Sequence, residues 1–182
     1  RGGGALWKVD GYYKVDKSLI EASDRFDPSV RVLDMSRIGP VLTGEDAAGL
    51  VVMAVETASD ARLAALRALG DLDLVLTGRR AETLKARAYD GDVARVVVPP
   101  SATLRWMRAL ADPADDLEQP MKGPVATRRG GDAGLHRLAV ALVKSARLLP
   151  AALVVAHSGA GGLGAAENLV VMQAGGVAPL LD

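Results

Sequence analysis

The sequence predicts an α/β fold, a mixed and partly parallel sheet with flanking helices. Two observations predict it. From about residue 30 onward, short runs rich in Val, Leu and Ala alternate with segments of helical period. The apolar share is 49% while aromatic residues make up only 3%, so the core is built from aliphatic side chains. Length sets the scale: 182 residues fit one domain with a short arm. We place the arm at 1–28 and the domain at 29–182.

The arm differs from the rest. It opens with Gly2, Gly3 and Gly4 and holds four of the six aromatic residues, Trp7, Tyr12, Tyr13 and Phe26. It lacks a clear apolar period and reads as a loosely packed terminus, a tag remnant or a docking strand. Arg1 in place of Met leads us to expect a processed or partial chain.

The domain follows element by element. Val30–Ile38 reads as a helix ended by Gly39-Pro40. Val41–Thr43 is a short strand, and Gly44-Glu45-Asp46 a turn. Leu50–Val55 is an apolar run suited to a strand buried on both faces. Thr57–Asp60 supplies cap residues for a helix to Leu69, with Leu63, Leu66 and Leu69 on one side. Leu72–Leu76 is the next strand, and Arg79–Tyr89 a helix anchored by Leu84. Ala94–Val98 is a strand ended by Pro99-Pro100. Ser101 caps a helix to Asp112. Pro113–Gly131 is a long polar loop. A helix from Gly134 carries Leu135, Leu138, Leu142 and Leu149 on one stripe, and Pro150 ends it. Ala151–Ala156 is a strand, Gly164–Gln173 a helix and Val177–Leu181 a last strand.

Composition excludes several function classes. Lys plus Arg and Asp plus Glu are 22 each, so no basic field exists to attract nucleic acid. With no cysteine there is no disulfide, thiolate metal site or cysteine nucleophile. That is compatible with a cytoplasmic protein, which we expect. The longest apolar run, Leu148–Ala156, is broken by Pro150 and is too short for a membrane span.

Four constellations can carry chemistry. Gly159, Gly161, Gly162 and Gly164 give G-x-G-x-x-G spacing between a strand and a helix, the setting in which backbone N–H groups meet a pyrophosphate. A dinucleotide fold adds further βα units after this turn, and we expect a glycine-rich surface loop as the plainer reading. His136 lies early in a helix and His157 at a strand end, neither joined by motif to a nucleophile. Glu45 and Asp46 stand in the first turn, where paired carboxylates hold Mg²⁺ or move protons, or are simply solvated. Asp112, Asp115, Asp116 and Glu118 read as a solvated acidic loop. Arg79-Arg80 and Arg128-Arg129 are basic pairs able to grip a phosphate.

The order of segments resembles the 3,4-dihydroxy-2-butanone 4-phosphate synthase family of riboflavin biosynthesis. More closely, it resembles the degenerate form of that domain at the N-terminus of some bacterial GTP cyclohydrolase II proteins. Gly39-Pro40-Val41 enters the first strand. Val51-Val-Met53-Ala-Val-Glu56 is similar to the family's L-V-M-A-A-E, and Arg108-Ala-Leu-Ala-Asp112-Pro113 to its R-A-L-A-D-P. Gly123-Pro-Val125 stands near its P-G-H-V, and Leu135–Ala151 resembles the helix containing H-T-E-A-A-V-D-L. The likeness covers about residues 30–182.

The departures fall on the chemistry. The family's acidic loop, D-D-E-D-R-E-N-E-G-D, is here Val41–Leu50, with Glu45 and Asp46 its surviving acids. The family's H-T-E is here Leu135-His136-Arg137. One position on a helix is a turn of about 100°. In the family, a Glu of the loop and that His hold the Mg²⁺ that acts on ribulose 5-phosphate. The resemblance therefore implies the synthase fold with no metal site and no cofactor, in a homodimer, with a downstream cyclohydrolase domain in the same chain. Two alternatives accompany it: an active Mg²⁺-dependent synthase using Glu45, Asp46 and His136, and a nucleotide-binding module using Gly159–Gly164. Arg128 and Arg129 are the expected phosphate contacts.

Overall fold

The computed structural model describes residues 6–9, 12–15, 41–43, 49–160, 163 and 169–174. Within the arm, strands β1 (Leu6–Val9) and β2 (Tyr12–Val15) pair antiparallel, with Trp7 opposite Lys14. The helix expected at Val30–Ile38, the turn holding Glu45 and Asp46, and the strand expected at Val177–Leu181 lie outside the described residues.

Six strands form the main sheet: β3 (Val41–Thr43), β4 (Gly49–Ala54), β5 (Leu72–Thr77), β6 (Val93–Val97), β7 (Ala151–His157) and β8 (Val171–Gln173). Their order is β6-β5-β7-β4-β3-β8. Pairings from β6 across to β3 are antiparallel, and the parallel pair is β3 with β8 at the edge. The sheet is thus less parallel than helix-separated strands suggest. The crossover from β4 to β5 does return the chain in the same direction. The later strand β7 then enters between the two, antiparallel to both. Residues 171–173, expected in a helix, form strand β8 instead. Their apolar run Leu169–Met172 lacks helical spacing, and pairing with β3 satisfies its backbone.

Among the described residues, helices α1 (Asp60–Arg67), α2 (Gly78–Thr83), α3 (Leu104–Ala111) and α4 (Gly134–Ser145) cover the two faces. Strand alternation divides the core. Val51, Met53, Leu74, Leu153 and Val155 meet Leu63 and Leu66 of α1 and Met107 and Leu110 of α3. Leu50, Val52, Val75, Ala152 and Val154 meet Ala139, Val140, Leu142 and Val143 of α4. Both faces being covered explains why β4 is buried at every position.

Helix ends depart from the simplest reading. The Thr103 side chain, rather than Ser101, caps α3 by accepting from the Trp106 N–H at 3.2 Å. Helix α2 stops at Thr83 instead of running to Tyr89. Lys85 takes φ 56°, and the Ala86 N–H donates to Ala81 O at 2.9 Å. The same device ends α4 before Pro150 is reached. Arg147 takes φ 61°, and the Leu148 N–H donates to Val143 O at 3.2 Å. Both turns bring an apolar residue back onto the core, Ala86 and Leu148. Leu149 therefore lies past the helix whose stripe it was expected to join.

The long polar loop has a structural task. Its residues 126–128 run along the outer edge of β6, with Val97 N–H donating to Ala126 O at 2.9 Å and Arg128 N–H to Arg95 O at 2.8 Å. That covers an edge otherwise open to pairing.

Candidate functional site

The sheet register gathers several candidates at one end. Gly49, which follows the first turn, lies opposite His157 at the end of β7. Leu72 opens β5 beside Val155 at the same end, and Asp73 follows it. Glu45 and Asp46 lie outside the described residues, as do Gly161, Gly162 and Gly164. Of the glycine cluster, Gly159 is described. Leu163 N–H donates to its carbonyl at 2.9 Å, and a Cβ there would stand 3.8 Å from the His157 ring.

The Arg128-Arg129 pair divides. Arg128 Nε donates to Asp73 Oδ2, while the Arg129 guanidinium sits 5.0 Å above the Tyr89 ring. Adjacent residues of an extended segment point opposite ways, so the two do not converge on one anion. Asp73 is only 6% exposed. Burial pushes its carboxyl up, against the opposing pull of the Arg128 guanidinium. Its second oxygen, Oδ1, is buried without a hydrogen-bond partner.

Beside this pair lies Arg95, a residue that sequence reasoning passed over. The signal was one charge inside the apolar run Val93–Val97. Strand alternation puts Arg95 on the α4 side of the sheet, where it is 5% exposed. Its Nε donates to Asp90 Oδ2 at 2.8 Å, and its Nη2 to Asp90 Oδ1 at 3.0 Å and Gly130 O at 2.6 Å. A bidentate pair of this kind is the arrangement that makes a buried arginine tolerable.

Helix α4 begins above Arg95. No side chain caps Ala133, but Asp132 Oδ1 accepts from the Gly134 N–H at 3.1 Å. Leu135 packs toward the apolar core on this face. His136 is half-buried, and its Nδ1 is buried without a partner. Burial, seconded by the Arg95 charge, holds its imidazole down to about 4, so it is neutral at pH 7. Arg137 turns outward and its Nε donates to Asp92 Oδ1 at 2.8 Å and Oδ2 at 3.0 Å.

These residues do not fit a divalent cation. Mg²⁺ takes oxygen ligands in near-octahedral order. Of the two carboxylates whose charge reaches His136, Asp90 is committed to Arg95 and Asp132 accepts from the Gly134 N–H, and the Arg95 and Arg128 charges act against a cation there. Among the described residues, no group of three His, Asp or Glu side chains is placed to hold one.

A second ionic cluster was also missed. Arg80, 8% exposed, donates from Nε to Leu110 O at 2.6 Å and from Nη2 to Ala109 O and Asp112 O at 3.1 Å. It also forks onto both oxygens of Asp116 at 2.7 Å. Buried Lys122 reaches Asp116 as well. Hydrogen bonds from Arg80 and Lys122 hold the Asp116 carboxyl well below the usual range. The acidic run expected to be merely solvated therefore supplies an ionic clasp. Arg80 closes the C-terminal end of α3 rather than gripping a phosphate with Arg79.

No family model matches the chain, and no curated protein does. Solved structures do match. A cation-free 3,4-dihydroxy-2-butanone 4-phosphate synthase superposes with a TM-score of 0.60 at 15% identity, over 81% of this chain and 92% of that one. The synthase of Candida albicans gives a TM-score of 0.56 at 15% identity, over 81% and 93%. A synthase in complex with two magnesium ions gives 0.56 at 15% identity, over 78% and 89%. Likeness at this identity speaks to the fold alone. Six strands in this order, helices on both faces and these superpositions together give the chain a 3,4-dihydroxy-2-butanone 4-phosphate synthase-like fold.

Proposed function

We propose that this chain is a synthase-like domain that does not carry out the synthase reaction and acts instead in dimerisation or positioning. The wider setting we propose is a GTP cyclohydrolase II type protein of riboflavin biosynthesis, with the cyclohydrolase domain in the same polypeptide. One observation carries the loss of activity. At the start of α4, where the resemblance calls for a metal-holding His and the acid after it, stand Leu135-His136-Arg137. Burial, with the Arg95 and Arg128 charges set against Asp90 and Asp132, keeps the His136 imidazole neutral, and Arg137 is tied to Asp92. Charges that are already paired across Arg95, Asp90, Arg137 and Asp92 favour a structural role over a reactive one.

The deciding assay is Mg²⁺-dependent release of formate from ribulose 5-phosphate. The expected result is none. Release that Glu45→Ala abolishes would overturn the proposal in favour of an active synthase using Glu45, Asp46 and His136. That second reading draws support from the magnesium-bound neighbour of like fold. The intact mass of the native polypeptide tests the wider setting, since a cyclohydrolase domain adds roughly 100–200 residues. Binding of an adenine dinucleotide, lost in Gly161→Val, would redirect the reading to the Gly159–Gly164 loop.

A further inference from the structure

We propose that the cleft between α2 and α4 binds a small phosphomonoester with an apolar body. The cleft has a volume of about 980 Å³, a size typical of small-molecule sites. It opens beside Thr77, at the end of β5 away from Leu72 and His157, and shares the Arg137–Asp92 pair with the start of α4 described above. Helix α4 gives it Arg137, Val140, Ala141 and Lys144, whose spacing sets all four on one stripe. Buried Val93 and Val140 form an apolar floor.

The facing wall is a fixed backbone joint. Gly78 N–H donates to Asp92 O at 2.6 Å. A Cβ on Gly78 would stand 2.5 Å from Gly91 O, so only glycine fits there. Arg137 bridges from α4 to Asp92 and closes one end of the cleft.

The charges decide the ligand class. Arg79 and Lys144 are exposed cleft residues, and neither side chain has a hydrogen-bond or ion partner among the described residues. Asp92 is neutralised by Arg137, which leaves Glu82 as the one uncommitted acid of the lining. Two free cations above an apolar floor match a phosphomonoester, which carries about −1.5 to −2 charge at pH 7.

The test is a calorimetric titration of the whole chain with phenyl phosphate, with inorganic phosphate and phenol as separate arms. We expect one saturable phenyl phosphate per chain, bound more tightly than either fragment. Arg79→Ala and Lys144→Ala each weaken it about tenfold, the loss of one charge-assisted hydrogen bond. Arg105→Ala removes an exposed cation on α3, across the sheet, and leaves binding unchanged. Ala141→Trp fills the cleft and abolishes binding. Any of three results overturns the proposal: no saturable binding to the parent chain, equal weakening by Arg105→Ala, or undiminished binding to Ala141→Trp. Equal affinity for inorganic phosphate would overturn the assigned ligand class.

Discussion

Replacing Arg80 by Met tests whether the ionic clasp holds α3 and the loop after it. The last carbonyls of a helix have no partner within it. At the end of α3, three carbonyls, of Ala109, Leu110 and Asp112, accept from the Arg80 guanidinium. Methionine fills similar volume but donates nothing. It leaves the buried carbonyls of Ala109 and Leu110 unsatisfied, at about 1–3 kcal/mol each. It also strips Asp116 of its fork, leaving Lys122 as the remaining cation. The working figure for Arg80→Met is a loss of about 3–5 kcal/mol. For a chain of this length that lowers the melting midpoint by about 10 °C. Arg80→Lys keeps a charge and some of the hydrogen bonds, so it should fall between the parent and Arg80→Met. Denaturant unfolding of the full chain reads the energy, and thermal unfolding followed by circular dichroism reads the midpoint. The Asp116 share has its own signature. A depressed carboxyl contributes stability above its unfolded value near 3.8, and the contribution is lost as pH falls through the lower folded value. The gap between parent and Arg80→Met should therefore narrow below pH 4. An Arg80→Met chain that unfolds at the parent's midpoint would refute the reasoning.

Two further outcomes are expected. Arg147 holds a left-handed conformation at the end of α4, so Arg147→Gly should raise stability by about 1 kcal/mol in denaturant unfolding; a loss would mean that the arginine side chain contributes more than its backbone costs. His136 is held to about 4 in the folded chain against an ordinary 6.5, so the unfolded chain takes up the proton first as pH falls. Stability should therefore decline from pH 6.5 to 4, and His136→Gln should flatten that decline; a parent curve level across this window would contradict the buried, neutral imidazole.

The fold was largely legible in the sequence because its core obeys simple periods. Strand β4 and the Leu63 and Leu66 stripe of α1 lie where aliphatic spacing put them. Legibility failed where the cause was not local. No pattern within Leu50–Leu76 announces that β7, some 75 residues onward, will enter between β4 and β5 and turn a parallel pair into an antiparallel trio. Left-handed Lys85 and Arg147 were hidden for a different reason. Glycine normally marks such helix ends, and here long basic residues occupy them.

The candidate site was legible by residue type and not by partnership. Arg128 and Arg129 were visible as a pair of charges, yet Asp73 and Tyr89, which separate them, lie 55 and 40 positions away. The same rule governs Arg79-Arg80. One side chain turns into the core to close α3, and its neighbour is left free over the cleft. A basic dipeptide on a helix therefore divides labour by geometry. About 100° of rotation between adjacent residues sends one toward the core and the other toward solvent. For this chain the chemistry of a charged residue is decided by which acid or carbonyl the fold brings to it. Arg95 makes the point most sharply: it is buried on β6 beneath the start of α4, and its partners are Asp90, just before that strand, and the Gly130 carbonyl of the long loop.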